Sequence, residues 1–279
     1  MMGTLSAFLG KLSLSGRIGL ALVVFWLALA LFGPLLAPYE VGAIVADDVF
    51  LPLSPAFPLG SDYLGRDMLS RVLHGTRFTV GLAFAAALAA SSLGTSLALF
   101  AAVSGRWIDE LVSRAMDTLI SIPSKIFALV MVAAFGSSVP LLLLIAALSY
   151  LPGAFRIARA LAVNLNTMEY VQVARVRGEG RIYVACVEIL PNMIHPILAD
   201  FGLRFMFVVL LLSGMSFLGL GVQPPDADLG SLVRENISGL GEGAPAVVMP
   251  ALAIAMLTIG VNLLIDSLPR AGRRPVREA

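Results

Sequence analysis

The sequence has few charged residues, one cysteine and two histidines. Charged residues account for 13% of the chain and hydrophobic residues for 58%, whereas soluble domains contain roughly 45 to 50% apolar residues. The composition therefore indicates an integral membrane protein. A single cysteine, Cys186, excludes an internal disulfide, and His74 and His195 have no Cys or His neighbour with which to form a zinc site. We expect no metal site and no cofactor bound by this chain.

The chain also lacks the features of several other protein classes. Its formal net charge is only +1, so there is no bulk basicity to favour nucleic acid as a partner. Its two halves show no sequence repeat of the kind found in inverted-repeat transporters. It has no Gly-x-x-x-x-Gly-Lys-Ser/Thr phosphate loop, so any ATP hydrolysis must belong to another polypeptide.

Six apolar stretches approach the ~20 residues that a helix needs to cross a bilayer. Because the stretches are continuous and lack the alternation of barrel strands, they predict helices. The predicted fold is an all-α integral membrane protein with six transmembrane helices. They are Ile18–Leu36, Thr79–Val103, Leu111–Phe135, Pro140–Ala162, Ile194–Gly221 and Val247–Leu268.

The first and third stretches contain unusual residues. The first includes Ala28-Leu29-Ala30, which has the small-x-small form of a signal cleavage site. This triplet lies inside the apolar run rather than after it, so we expect an uncleaved first transmembrane helix at 18–37. The third stretch contains Asp117, Pro123 and Lys125, and Pro123 is expected to free a backbone carbonyl and bend the helix.

Charge is distributed unevenly between the two sides of the membrane. Arginines are concentrated in the segments that would share a side with the N-terminus, and acidic residues in the others, with Arg66, Arg71, Arg77 and Arg234 as exceptions. Lys and Arg mark the cytoplasmic side. We therefore predict a cytoplasmic N-terminus (1–17), a periplasmic segment (38–78), a membrane core (79–268) and a cytoplasmic tail (269–279).

Both outer segments are long. The first is rich in proline at its start, and it then places Leu64, Met68, Leu69 and Val72 at helical spacing. This pattern predicts an interfacial amphipathic helix over Asp62–Leu73. The second outer segment, Val222–Ala246, is rich in glycine and begins with two prolines.

The inner segment at 165–192 predicts two short helices joined at a glycine. Asn166 and Glu169 have the spacing of a capping box, and Gly178 suits the left-handed conformation that ends a helix. A second helix from Arg181 to Pro191 would place four residues on one face, namely Ile182, Ala185, Cys186 and Ile189. This segment is either an ordinary loop whose arginines contact headgroups or an element that docks on a soluble partner.

The inner segment resembles the EAA loop of bacterial ABC importer permeases, which reads Glu-Ala-Ala, Gly and Ile-x-Leu-Pro at fixed spacing. Here the pattern appears as Gln172-Val173-Ala174, Gly178 and Glu188-Ile189-Leu190-Pro191. The departures at 172, 173 and 188 affect single contacts but not the helix-glycine-helix form. The resemblance implies a type I importer-like fold and a segment that couples the membrane helices to ATPases. The implied coupling residues are Glu169, Tyr170, Ala174, Arg175, Gly178, Leu190 and Pro191.

Two further stretches resemble the C-type permease subunit of dipeptide, oligopeptide and nickel importers. They are PLGSDYLGRDMLSRVLHGTR (58–77) and FLGLGVQPP (217–225), although the tryptophan expected soon after the second is Leu229 here. The resemblance implies a bacterial inner-membrane location and four partners besides the bilayer. These are a B-type permease subunit, two cytoplasmic ATP-binding subunits that hold ATP and Mg²⁺, and a periplasmic or lipid-anchored solute-binding protein. The resemblance leaves open whether peptides or a related solute are carried.

Charged residues inside the predicted spans are candidates for the translocation path, because such residues need a partner or a wet cavity. Arg114 could pair with Asp117, and Lys125 lies deeper. Asp200 and Arg204 have the i, i+4 spacing of a structural ion pair, with a path role as the alternative for Arg204. An ion-driven carrier or channel that uses Asp117 and Lys125 is the competing function. A membrane-embedded enzyme lacks a suitable constellation of His, Cys or Ser-Lys.

Overall fold

The computed structural model describes residues 13–267 of the chain. In chain order the helices are α1 (Leu14–Leu36), α2 (Met68–Ser104), α3 (Arg106–Ile120), α4 (Ser124–Phe135), α5 (Val139–Asn166), α6 (Glu169–Val176), α7 (Arg181–Phe217), α8 (Leu229–Glu235) and α9 (Pro245–Ser267). Five of these helices, α1, α2, α5, α7 and α9, are long and apolar enough to cross a membrane. The prediction of an all-α membrane fold is therefore confirmed. The predicted tail at 269–279, Leu268 and residues 1–12 lie outside the described residues.

The third predicted span is two helices rather than one. Helices α3 and α4 meet at an angle of 79°, with Ser121, Ile122 and Pro123 between them. Proline has no backbone N–H and disfavours a helical residue before it, so the helix ends at Ile120 and restarts at Ser124. The described helices give five spans, or six when the bent pair is taken as one span, and the predicted bend at Pro123 is confirmed.

Helix α2 begins in the outer segment and differs from the prediction there. The separate amphipathic helix expected over Asp62–Leu73 is wrong, because residues 62–67 form a turn and two isolated β-bridge positions, and α2 runs unbroken from Met68. Gly65 has a φ of +74°, a conformation that interrupts a helix. The Asp67 carboxylate then caps α2 by accepting from the Ser70 N–H at 2.8 Å.

Close helix contacts depend on small residues. A Cβ added at Gly94 of α2 would lie 2.6 Å from the Ala154 Cβ and 2.9 Å from the Phe155 nitrogen, both on α5. Gly19 allows the same approach of α1 to α9, where an added Cβ would lie 2.5 Å from the Leu264 nitrogen. Side chains that small let backbones approach within a bilayer, where dispersion contacts stabilise packing.

Two apolar clusters form the core. The larger cluster joins α2, α4, α5, α7 and α9 through buried residues such as Met68, Ile145 and Leu257. The smaller cluster lies at the inner end, where Val171 of α6 and Ile189 of α7 pack with residues of α2 and α5. The inner segment is therefore packed onto the bundle and is not a loose loop.

Candidate functional site

The first helix of the inner segment forms as predicted, but it begins later, at Glu169, and has a different cap. Helix α6 starts at Glu169 after the cap residue Met168, whose side chain makes no capping bond. The capping box expected of Asn166 is wrong, because Asn166 is the last residue of α5. Its Oδ1 instead accepts from Arg175 Nη2 at 2.6 Å, and its Nδ2 donates to the Ala102 carbonyl at 2.9 Å. Asn166 thus ties α6 to the end of α2.

The glycine elbow has the predicted geometry. Helix α6 ends at Val176, and Gly178 has a φ of +87°. The Gly178 N–H donates to the Arg175 carbonyl at 3.0 Å, and the Glu179 N–H donates to the Ala174 carbonyl at 3.1 Å. This pair of bonds is the Schellman motif, which closes a helix through a left-handed residue.

The second half of the inner segment differs from the sequence prediction. Residues Val184–Ile189 form a π-helical turn, in which the Leu190 N–H donates to the Ala185 carbonyl. The extra residue in this turn rotates the buried face of the helix. Ile182 and Cys186 are exposed as a result, and the buried residues are Val184, Ala185 and Ile189. Pro191 does not end the helix, which continues to Phe217. Proline has no N–H to donate, and the wide π turn before Pro191 accommodates this missing hydrogen bond, so the helix continues.

The coupling segment, residues 169–192, has one face packed and one face open. Val171 and Ala174 are buried and belong to the apolar cluster that also contains residues of α2, α5 and α7. Apolar side chains nevertheless protrude beside the elbow, since Val176 is 88% exposed and Ile182 is 81% exposed. Glu169 and Arg175 are exposed as well.

Tyr170 of α6 remains protonated at neutral pH. Partial burial and the nearby Glu188 carboxylate both raise the pKa of its phenol above the ordinary value. The hydroxyl group therefore stays available as a hydrogen-bond donor beside the elbow.

The predicted path residues Asp117 and Lys125 are exposed, on opposite sides of the α3–α4 break. The expected Arg114–Asp117 pair is wrong, because Arg114 Nη2 lies 2.6 Å from Glu110 Oε1 instead. Glu110 stands four residues before Arg114, the favourable order for a helical ion pair. Asp117 lies 4.0 Å from Arg156 of α5. The side chains of Asp117 and Arg156 are more than half exposed.

Helix α3 is attached to α5 by an ion pair that the sequence does not indicate. Both oxygens of Asp109 accept from Arg159, with Nε at 2.5 Å from Oδ1. The two residues are 50 positions apart, and no local spacing signals such a contact.

Arg204 lies inside the bundle. Its Nη2 donates to Asp200 Oδ1 at 2.9 Å, and its Nη1 donates to the Tyr150 carbonyl of α5 at 2.9 Å. Asp200 and Arg204 are 7% and 6% exposed. The structural ion pair between Asp200 and Arg204 is therefore confirmed.

The outer segments pack together into an outer cap, formed by residues 37–67 and 218–244. Arg71 Nη1 lies 2.8 Å from both Asp62 Oδ2 and Glu235 Oε2, and Arg66 Nε lies 2.6 Å from Asp62 Oδ2. Tyr63 N–H also donates to Asn236 Oδ1 at 3.1 Å. The stretch at 58–77 therefore forms a buried ionic cluster with α8, which sequence reasoning missed because Glu235 is 164 residues from Arg71.

The second part of the outer cap is fixed by Asp228. Its Oδ1 accepts from the Ser231 N–H at 2.7 Å, and its Oδ2 accepts from Ser216 Oγ at 2.5 Å. Burial raises the pKa of the Asp228 carboxyl, although the hydrogen bonds from Ser216 and Ser231 oppose this. Gly230 allows this packing, because an added Cβ would clash with the Ser213 carbonyl oxygen.

Comparison with known proteins places this architecture in a family. Residues 94–274 match the family described as the inner membrane component of binding-protein-dependent transport systems. The dipeptide transport system permease protein of Haemophilus influenzae is 29% identical over 94% of this chain and 90% of its own length. The di/tripeptide permease of Pseudomonas aeruginosa is 31% identical, with coverage of 92% and 86%. The glutathione transport system permease of Pectobacterium atrosepticum is 30% identical, with coverage of 88% and 82%.

These matches favour an importer component over an ion-driven carrier or channel. They cover the bent α3–α4 pair and the whole coupling segment, and the matched relatives extend the likeness to the outer cap. The chain therefore belongs to the binding-protein-dependent transport system inner membrane components and is a C-type permease subunit of an ABC importer.

Proposed function

We propose that this chain forms, with a B-type permease subunit, a path for peptides or a chemically related solute across the bacterial inner membrane. The named solutes of the similar permeases are dipeptides, di/tripeptides and glutathione, and all of them contain peptide bonds. A solute-binding protein, periplasmic or lipid-anchored, delivers the solute to the outer cap. Two cytoplasmic ATP-binding subunits hold ATP and Mg²⁺ and drive transport.

The observation that carries this proposal is the open face of the coupling segment. Val176 and Ile182 are almost fully exposed at an elbow whose other face is packed into the bundle. A few well-packed, desolvated residues near the centre of an interface typically contribute most of the binding energy. A soluble ATP-binding subunit that covers them would move α6, and the contacts of Val171 and Ala174 would pass the motion to α2 and α5.

The bent α3–α4 pair supports a path shared by two chains. Charged side chains are costly in contact with lipid tails, yet Asp117 and Lys125 are exposed in the single chain. A second permease chain packed beside α3 and α4 would enclose these side chains in a wet channel. Arg204 is not part of this proposal, because it is buried in its pair with Asp200.

Substitution at the elbow tests the coupling role. We expect Val176→Asp and Ile182→Asp to weaken retention of the ATP-binding subunits by about tenfold or more, because a charge would be placed where the partner removes water. Retention is measured by co-purification through a tag on this chain, and uptake is measured in the same cells. Solute uptake should fall in parallel.

The control is Val176→Ile, which keeps an apolar side chain of similar shape and should retain the partners. All three variants should unfold at the wild-type temperature, because the substituted side chains are exposed. Normal uptake and normal ATPase retention in both aspartate variants would refute the coupling role.

A further inference from the structure

A cavity of about 390 Å³ opens beside the coupling segment. Its walls come from the end of α2, the end of α5 and the elbow between α6 and α7. The residues that matter for its chemistry are Ala102, Val103, Asn166, Arg175, Glu179 and Arg181. Val176 and Ile182 do not line the cavity, although Arg175 and Arg181 beside them do.

The charged groups of the cavity are free to bind a ligand. Arg175 uses one nitrogen on Asn166 Oδ1, at 2.6 Å, and this leaves its other N–H groups available. Within residues 13–267, the side chains of Arg181 and Glu179 have no ion-pair partner. Two guanidinium groups and one carboxylate therefore share one open cleft.

The cavity lies at the depth of lipid headgroups. Ala102 and Val103 are in the last turn of α2, Asn166 is the last residue of α5, and Arg181 is the first residue of α7. Three membrane-spanning helices thus end at its wall. Trp107 follows at once and is 88% exposed, as is typical of the aromatic residues that mark a membrane interface. Basic pockets between helix ends on this side are suited to lipid headgroups.

We propose that this cavity binds the headgroup of an amine-bearing phospholipid of the phosphatidylethanolamine type. The guanidinium groups of Arg175 and Arg181 hold the phosphate diester, since arginine matches phosphate geometry. The Glu179 carboxylate accepts hydrogen bonds from the ammonium group. Ala102 and Val103 contact the glycerol and the first methylenes. The bound lipid fastens both sides of the Gly178 elbow to the bilayer, so it holds the coupling segment in position.

The ligand set distinguishes between common headgroups. A phosphatidylglycerol headgroup has no cation for Glu179, and a choline headgroup has no N–H to donate to it. We therefore expect the purified complex to retain phosphatidylethanolamine in preference to both. Bound lipid is quantified by native mass spectrometry of the permease complex after exchange into vesicles of equal phosphatidylethanolamine, phosphatidylglycerol and phosphatidylcholine.

Three variants test the assignment. Arg181→Gln should lower the retained lipid of all classes by about tenfold, the loss expected for one strong phosphate contact. Glu179→Gln should keep phospholipid but lose the preference for the amine. Arg177→Gln is the matched control, because Arg177 is an exposed arginine of the same turn that does not line the cavity, and it should retain lipid like the wild type.

Other occupants give different results. If inorganic phosphate protects the detergent-solubilised complex against unfolding and phospholipid does not, the cavity is a soluble-anion site. The lipid proposal would then fail. If Arg181→Gln releases the ATP-binding subunits without changing the retained lipid, the cavity is part of the ATPase interface. Equal retention of all three lipids would also overturn the proposal, and none of these results affects the Val176 and Ile182 test.

Discussion

Three buried carboxylates accept hydrogen bonds from neighbouring turns or distant segments. Asp62 accepts from Arg66 and Arg71, Asp200 accepts from Arg204, and Asp228 accepts from Ser216 and Ser231. An unpaired buried charge would cost several kcal/mol. Asp228 differs from the other two because its donors are neutral, so its charge is hydrogen-bonded but not balanced by a cation among those donors.

Replacement of Asp228 by asparagine should change how stability depends on pH. Burial raises the pKa of Asp228 above its ordinary value of 3.8, so the folded protein binds this proton more tightly than the unfolded chain does. The contribution of Asp228 to stability is therefore lost as pH rises from the unfolded pKa through the folded pKa. An asparagine side chain at this position cannot titrate, yet it can still cap α8. We expect Asp228→Asn to gain stability relative to the wild type as pH rises, by about 1.4 kcal/mol for each unit of pKa shift.

The measurement is the unfolding temperature of both proteins in detergent at several pH values between 4 and 8, roughly the range in which carboxyl groups with raised pKa values titrate. Asp226→Asn controls for the loss of one negative charge on the outer cap. Asp228→Ala should be less stable than Asp228→Asn by about 0.5–2 kcal/mol at every pH, because neither side chain titrates and only the asparagine can cap α8. If Asp228→Asn instead lost stability relative to the wild type as pH rises, the hydrogen bonds to Asp228 would outweigh the effect of burial.

Helices α2 and α5 form a contact that depends on the absence of a side chain at one position. An added Cβ at Gly94 would meet backbone atoms of α5, with Leu151 O at 3.0 Å, and backbone cannot move aside as a side chain can. We expect Gly94→Ala to destabilise the protein by about 1–3 kcal/mol through overpacking. Gly81→Ala on the same helix is the matched control, because nothing lies within 4 Å of its added Cβ.

The control should be neutral or more stable by about 0.5–1 kcal/mol, since alanine favours a helix over glycine. Unfolding temperatures in detergent and solute uptake by cells test both variants. The interpretation of Gly94 would be wrong if its alanine variant matched the stability of the Gly81 variant.

Sequence patterns predicted the helices well where one local rule dominated. The length of the apolar stretches predicted the spans, Pro123 predicted the bend between α3 and α4, and Gly178 predicted the elbow. The predictions failed where two local rules competed. Pro191 ends a helix by propensity, but a π turn before it lets α7 continue. Asn166 has the spacing of a cap, but it completes α5 and binds Arg175 instead.

The two ends of the molecule could be predicted to different degrees. The coupling segment is one continuous stretch of sequence, so its position and its elbow could be predicted from a motif. The outer cap joins residues that are far apart in sequence, such as Leu229, whose N–H donates to Thr79 Oγ1 across 150 positions. Its ionic cluster could not be read from spacing, because no periodicity links Arg71 to Glu235. Likewise Arg156 and Arg159 contact α3 only through the tertiary fold.

The orientation of the two ends is the basis of the mechanism and can be measured directly. Arginine placement predicts the coupling segment in the cytoplasm and the outer cap in the periplasm. Cys186→Ser removes the single cysteine, after which Arg177→Cys and Asp48→Cys introduce one exposed thiol at each end. In intact cells, a membrane-impermeant maleimide should label the cysteine at 48 and not the cysteine at 177.

In inverted membrane vesicles the labelling pattern should reverse, because the cytoplasmic face is then outside. Asp48 and Arg177 are on surface turns, so failure to react cannot be attributed to burial within this chain. The ATP-binding subunits are removed from the vesicles before labelling, because bound subunits could shield the cysteine at 177 from the maleimide. Labelling of the cysteine at 177 in intact cells would place the coupling segment outside, and an ATP-driven motion could then not reach α2 and α5 through α6.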